Sequence, residues 1–251
     1  MGLGLGLAIA AAGIVLGIAI GATGIGGVLL VPILTLALGL DVKHAIAAAL
    51  LSYLPSCLVA VALYARRGSI PWRDAWLLCL AALPAAWLGA RTASHAPASL
   101  LEGAIGMLLL AGGLCAVRAP RGMSRARIAL APMTLLGLGG GTGFVSAMTG
   151  AGGAFVLLPL LLLLDTPVLA AIGLGQAIAI PISGLASAVN FAAGLVDLRL
   201  AGGLAAALTL GIVIGTPIAH ALPQQKLRRL LGVAVVLAGC AMLLRTAARL
   251  L

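Results

Sequence analysis

The sequence predicts an all-α polytopic membrane protein built from two homologous halves, and three observations predict it. Apolar residues make up 63% of the 251-residue chain and charged residues only 8%, against the roughly 25% charged residues of a globular protein. The phrase Thr23-Gly24-Ile25-Gly26-Gly27 returns as Thr149-Gly150-Ala151-Gly152-Gly153, 126 positions later (149 − 23). Apolar runs then follow each copy in the same order, and at about 20 apolar residues per crossing they leave almost nothing outside the bilayer.

The first half, 1–118, carries apolar runs at 3–22, 28–40, 44–65, 75–93 and 100–117. A basic connecting loop follows at 119–127, and the second half, 128–251, carries runs at 128–148, 154–164, 168–193, 200–221 and 227–247. Landmarks hold the 126 offset: Gly13 with Gly139, Gly17 with Gly143, Pro55 with Pro181, Gly68 with Gly194, Arg73 with Arg199 and Gly106 with Gly232. Only at Pro32 and Pro159 does the chain slip to 127. Gly13, Gly17 and Gly21, like Gly139 and Gly143, form small-residue ridges suited to close helix packing. No Lys or Arg precedes Lys43, so no cleavable signal peptide is expected.

The second run of each half is short for a crossing, a length typical of re-entrant pieces. If these runs cross, each half has about five membrane segments and the halves are inverted; if they only dip, each has four and the halves are parallel. Loop charge favours inversion. Arg66, Arg67 and Arg73 face Arg199 alone in the matching loop, whereas Arg91 alone is matched by Lys226, Arg228 and Arg229. Equivalent loops that exchange their basic content lie on opposite sides of the membrane. Inversion places both termini outside.

The net charge of +10 reads as topology signal rather than as a nucleic-acid surface, because no soluble face carries it. Cys57, Cys79, Cys115 and Cys240 lie inside apolar runs without paired spacing and read as packing residues. His44, His95 and His220 share no ligand spacing, so no metal or other cofactor is expected. Asp41 and Asp165 read as turn or cap residues, and Arg91 and Glu102 as side chains reaching out of segment ends. No carboxylate sits mid-segment to carry protons.

Glycine-rich breaks survive in lipid only when buried in protein or lining a wet cavity. A helix restarting after such a break offers free N–H donors and about half a positive charge to an anion. The candidate substrate-binding residues are therefore Thr23, Gly24, Gly26, Gly27, Thr149, Gly150, Gly152 and Gly153, together with the in-membrane amides Gln176 and Asn190. Ser52, Tyr53, Ser56, Tyr64 and Ser183 are further polar residues in apolar runs, most of them expected to satisfy one another. The reading is a secondary transporter of small anions. A structural or assembly subunit of a membrane complex is the alternative, and a membrane enzyme, lacking an evident nucleophile and base, a weaker one.

Two phrases, Gly24-Ile25-Gly26-Gly27 with Leu30-Val31-Pro32 and Gly150-Ala151-Gly152-Gly153 with Leu157-Leu158-Pro159, together with Arg66-Arg67-Gly68-Ser69-Ile70-Pro71-Trp72, resemble the TauE/SafE family of sulfite exporters and anion permeases. The resemblance implies export of small anions, sulfur oxyanions or organosulfonates such as sulfite or sulfoacetate, by a multi-pass protein of the bacterial inner membrane. The partners it implies are the small anionic substrate and the lipid bilayer, with no nucleic acid. A coupling ion, H+ or Na+, and assembly into a homo-oligomer are left open. Relatives lead one to expect hydroxyls where this chain has Ala48-Ala49 before Pro55 and Leu174-Gly175 before Pro181.

Overall fold

Prolines and aspartates in the polar breaks start the helices that the apolar runs sustain. The computed structural model describes residues 3–118, 130–221 and 224–250, without the side chains of 3–8, 118, 224–230 and 249–250. The connecting loop expected at 119–127 lies outside the described residues, as do the side chains of Lys226, Arg228 and Arg229. Ten helical segments follow in order: α1 (Leu3–Thr23), α2 (Gly26–Ala37), α3 (Val42–Arg66), α4 (Trp72–His95), α5 (Ala98–Arg118), α6 (Pro132–Thr149), α7 (Gly153–Leu163), α8 (Val168–Ala192), α9 (Leu198–Ala221) and α10 (Gln224–Leu250). Among the described residues there is no strand.

Asp41 caps α3 by accepting the Lys43 N–H at 2.9 Å, and Asp197 accepts from Arg199 and Leu200 before α9. These caps satisfy amides that a helix start leaves unpaired. Left-handed backbone recurs at the repeat spacing: Gly24 with Gly150, Gly39 with Asp165, and Gly68 with Gly194. Conformation therefore repeats along with sequence. Gly152 is the one left-handed residue, among those described, without a partner 126 positions away.

Among the described residues, six helices, α3, α4, α5, α8, α9 and α10, are long and apolar enough to cross a membrane. The glycines and threonines of α6 lower its hydropathy, and α2 and α7 are short. Large apolar side chains such as Trp76, Leu210 and Leu244 stand exposed on the outer faces, as they do where lipid is the solvent. Arg91 lies over Trp87 at 4.7 Å. Glu102, expected to reach outward from α5, is buried instead.

The halves interlock. The heaviest packing joins α1 to α9, α4 to α6 and α5 to α10, and the next joins α3 to both α8 and α9 and α4 to α8. Exchanging α1–α5 for α6–α10 leaves that pattern unchanged. The expected ridge glycines make close approaches to the partner backbone: a Cβ on Gly17 would overlap the Leu208 carbonyl, and one on Gly139 the Leu78 carbonyl. Contact registers give the directions. Gly13 meets Ala207 and Gly21 meets Ile212, so α1 runs parallel to α9. Ser56 meets Thr209 and Tyr64 meets His220, so α3 also runs parallel to α9. Gly106 meets Leu243 while Gly113 meets Val236, so α5 and α10 run antiparallel.

Candidate functional site at the paired glycine breaks

Each break is built by a threonine that ends one helix and a glycine that turns the chain. At the first, the Thr23 hydroxyl donates to the Ala19 carbonyl at 2.8 Å and accepts the Ile25 N–H at 3.3 Å. Gly24 (φ +75°) reverses the chain, its N–H still donating to the Ile20 carbonyl. At the second, Thr149 donates to the Val145 carbonyl at 2.7 Å, and Gly150 (φ +69°) and Gly152 (φ +71°) turn the chain into α7. Ser146 donates to the Gly152 carbonyl at 3.4 Å. Both threonine hydroxyl protons thus go to their own helices rather than toward a ligand in this conformation.

The restarts differ. The α2 segment begins one residue into the glycines, as a 3-10 turn over Gly26–Leu29, becomes α-helical over Leu30–Pro32 and widens to a π-helix over Ile33–Ala37. Pro32 supplies no N–H, which disturbs the ladder behind it. The Arg245 guanidinium of α10 donates to the Thr35 carbonyl and so closes the irregular end. By contrast, α7 remains α-helical past Pro159. Runs expected at 28–40 and 154–164 therefore begin slightly earlier, inside the glycine phrases.

Tyr53, near the middle of α3, joins the two breaks. Its hydroxyl donates to the Gly27 carbonyl, and its ring lies where a Cβ on Gly152 would meet it at 3.6 Å. A Cβ on Gly27 would lie 3.4 Å from that hydroxyl and 3.7 Å from the Ala151 carbonyl. Each break also leans on the third helix of the other half, Gly24 on Ile172 and Gly150 on Ile46, positions again 126 apart. Gln176 of α8, 1% exposed, points its amide at the Ile20 carbonyl at 3.4 Å. Thr23, Gly24, Gly26, Gly27, Thr149, Gly150, Gly152, Gly153 and Gln176 are thereby gathered around one junction. Asn190 is not: it lies 14 residues beyond Gln176 on α8, about 21 Å along the helix axis.

The glycines have distinct reasons to be glycine. Gly24, Gly150 and Gly152 hold left-handed backbone. Gly26 and Gly153 are close approaches, since a Cβ would meet the Leu16 carbonyl at 2.7 Å and Ile178 at 2.6 Å. Gly27 has neither constraint, and a methyl there would point at Tyr53 and Ala151. Tyr53 and Ser146 are the site residues that sequence reasoning passed over, and the only signal for Tyr53 was a phenol in an apolar run.

The side chains that meet here are uncharged, and the first N–H groups of α2 and α7 lack partners within their helices. That combination favours a small anion through N–H donors and partial charge. No nucleophile and general base stand together at the junction, and no group of three His, Cys, Asp or Glu gathers among the described residues. The breaks are largely buried, so a ligand reaches them only when the helices part.

The sulfite exporter TauE/SafE family model matches residues 9–242, nearly the whole chain and both breaks. The chain belongs to the sulfite exporter TauE/SafE family. It is thus a multi-pass membrane protein of a transporter family whose name points to sulfur anions as cargo. No curated protein and no solved structure matches it. In this TauE/SafE protein the matched region runs from α1 to α10, so the family likeness covers the interlocked bundle as a whole.

Proposed function

We propose that this protein is a secondary transporter that exports small anions, sulfur oxyanions or organosulfonates such as sulfite or sulfoacetate, across the bacterial inner membrane, and that the paired breaks are its substrate site. The observation that carries this reading is the meeting of two broken helices, one from each half, around Tyr53. Discontinuous helices that aim their N-termini at an anionic group are how inverted-repeat transporters hold substrate within the bilayer. Two such termini contribute at most about 2 kcal/mol each, or about 4 in all, near millimolar affinity. Weak binding suits a protein that must release what it carries.

Residues 1–118 and 128–251 act as inverted repeats in this reading. The antiparallel packing of the equivalent helices α5 and α10 supports it, since parallel repeats around an axis along the membrane normal would bring them together in parallel. So does the parallel course of α3 and α9. Both termini then lie outside, with Arg66, Arg67 and Arg73 in the cytoplasm. Purified protein in liposomes should move sulfite, sulfoacetate or thiosulfate down an imposed gradient. Absence of flux for all three would overturn the export reading, and a reporter fused after Leu251 that works only in the cytoplasm would overturn the inversion.

A further inference from the structure

Asn190 has its own place in the molecule. It lines a narrow recess at one end of the bundle, too tight to admit a water in this conformation, with Lys43, Ile46, Ala93, Ser94 and Leu195. Asn190 is 2% exposed, and its amide nitrogen has no hydrogen-bond partner. Half-buried Lys43 stands across the recess, its ammonium donating to the Ser94 carbonyl at 2.9 Å. Of the carboxylates close in sequence to the recess residues, Asp41 is turned to the Lys43 N–H and to His44, and Asp197 to the N–H groups of Arg199 and Leu200.

From Asn190 a polar stripe runs inward along α8. Ser187, Ser183 and Gln176 precede it by 3, 7 and 14 residues, which at 3.6 residues per turn puts all four within about 60° of one another. All four are buried, and the hydroxyls of Ser183 and Ser187 also lack partners. An unpaired buried polar atom costs about 1–3 kcal/mol, so three on one face point to partners taken up in another conformation. The inner end of the stripe is Gln176, at the glycine breaks.

The repeat supplies a comparison. On α3 the equivalent positions are Leu50, Cys57, Val61 and Tyr64, an apolar stripe ending in a bulky ring. Around Tyr64 the recess positions are Leu169, Ile172, Ala219, His220 and Ser69. There the Tyr64 ring packs on His220 at 5.2 Å, its hydroxyl donates to the Gly21 carbonyl at 2.8 Å, and Ser69 pairs with His220 at 3.3 Å. That end is filled. The α8 end carries a cation and unspent donors instead.

We propose that the Lys43–Asn190 recess is a second anion-binding station, for the same small oxyanion or sulfonate, joined to the central breaks by Ser187, Ser183 and Gln176 as one half of the permeation path. The inference rests on the transporter reading for its inner end. Labelling of the full chain in membranes tests it without needing flux. In a background with Cys57, Cys79, Cys115 and Cys240 replaced by Ala, Asn190→Cys and Ser187→Cys should react with a sulfonate-bearing methanethiosulfonate about tenfold faster than with its trimethylammonium counterpart. Lys43→Gln should erase that preference, and sulfoacetate should slow the reaction. A control keeping only Cys57, the α3 equivalent of Ser183, should stay unlabelled. Labelling at 187 and 190 no faster than at Cys57, or a charge preference indifferent to Lys43, overturns the station. Ser187→Cys carries the test if Asn190→Cys does not accumulate. Labelling as expected with no anion flux keeps the station and removes the export reading, and flux without labelling does the reverse.

Discussion

The two glycine breaks share a phrase and differ in how they use it. The first is packed shut by its own helix, with Gly26 against the Leu16 carbonyl and Ala19 and one left-handed residue at Gly24. The second turns on two left-handed glycines, with room beside Gly152 for a Cβ at ordinary contact distance from Tyr53. The first half also contributes Tyr53, whose counterpart on α8 is Ala179. The same phrase therefore builds a latched, irregular segment in the first half and a regular helix on a glycine hinge in the second. The one-residue slip between Pro32 and Pro159 falls inside these segments, where the 3-10 and π turns of α2 accommodate it.

The largest expected effects separate steric from conformational need. Gly26→Val drives a side chain into the α1 backbone and should cost at least about 3 kcal/mol, the upper end of overpacking, seen as a lower Tm or failure to accumulate. Gly152→Ala meets no clash but forces a residue with a side chain into a glycine-only region, at about 1–3 kcal/mol. If Gly152→Ala were as stable as the unaltered protein, the hinge description of the second break would be wrong. Next comes Tyr53→Phe, which strips the Gly27 carbonyl of a buried partner and should cost about 1–3 kcal/mol in thermal unfolding while lowering flux. Unchanged Tm and flux would remove Tyr53 as the latch. The smallest effect belongs to Gln176→Leu: its hydrogen bond is long, so Tm should move little, by less than about 1 kcal/mol, while flux falls. A large loss of stability with normal specific flux would make Gln176 structural.

Much of this was legible in the sequence because the glycine phrase and its landmarks occur twice at one spacing. The ten segments, the ridge glycines and the turns at Asp41 and Asp165 follow from apolar runs, small-residue spacing and cap chemistry. Gln176 was legible because an amide in hydrocarbon demands a partner. Tyr53 was not, since its importance comes from α3 passing both breaks at once, a tertiary fact without a local signature. Asn190 was grouped with Gln176 by chemistry, yet along a helix the rise per residue separates them by four turns. The 3-10 and π character of α2 was hidden too, since the same proline leaves α7 regular, and periodicity is silent on so short an apolar run. Hydropathy over the described residues passes six helices, whereas the interlocked packing makes all ten part of one bundle.

The central claim is that the junction between the breaks is where the anion binds, and Gly27→Ala tests it most directly. The added methyl meets no backbone closer than 3.7 Å and demands no left-handed turn, so Tm should hold within the shift that about 1 kcal/mol produces. Flux of sulfite, sulfoacetate and thiosulfate in liposomes should nevertheless fall by about tenfold or more, the effect of losing some 1.4 kcal/mol at the site. A stable Gly27→Ala protein that transports like the unaltered one would contradict the account.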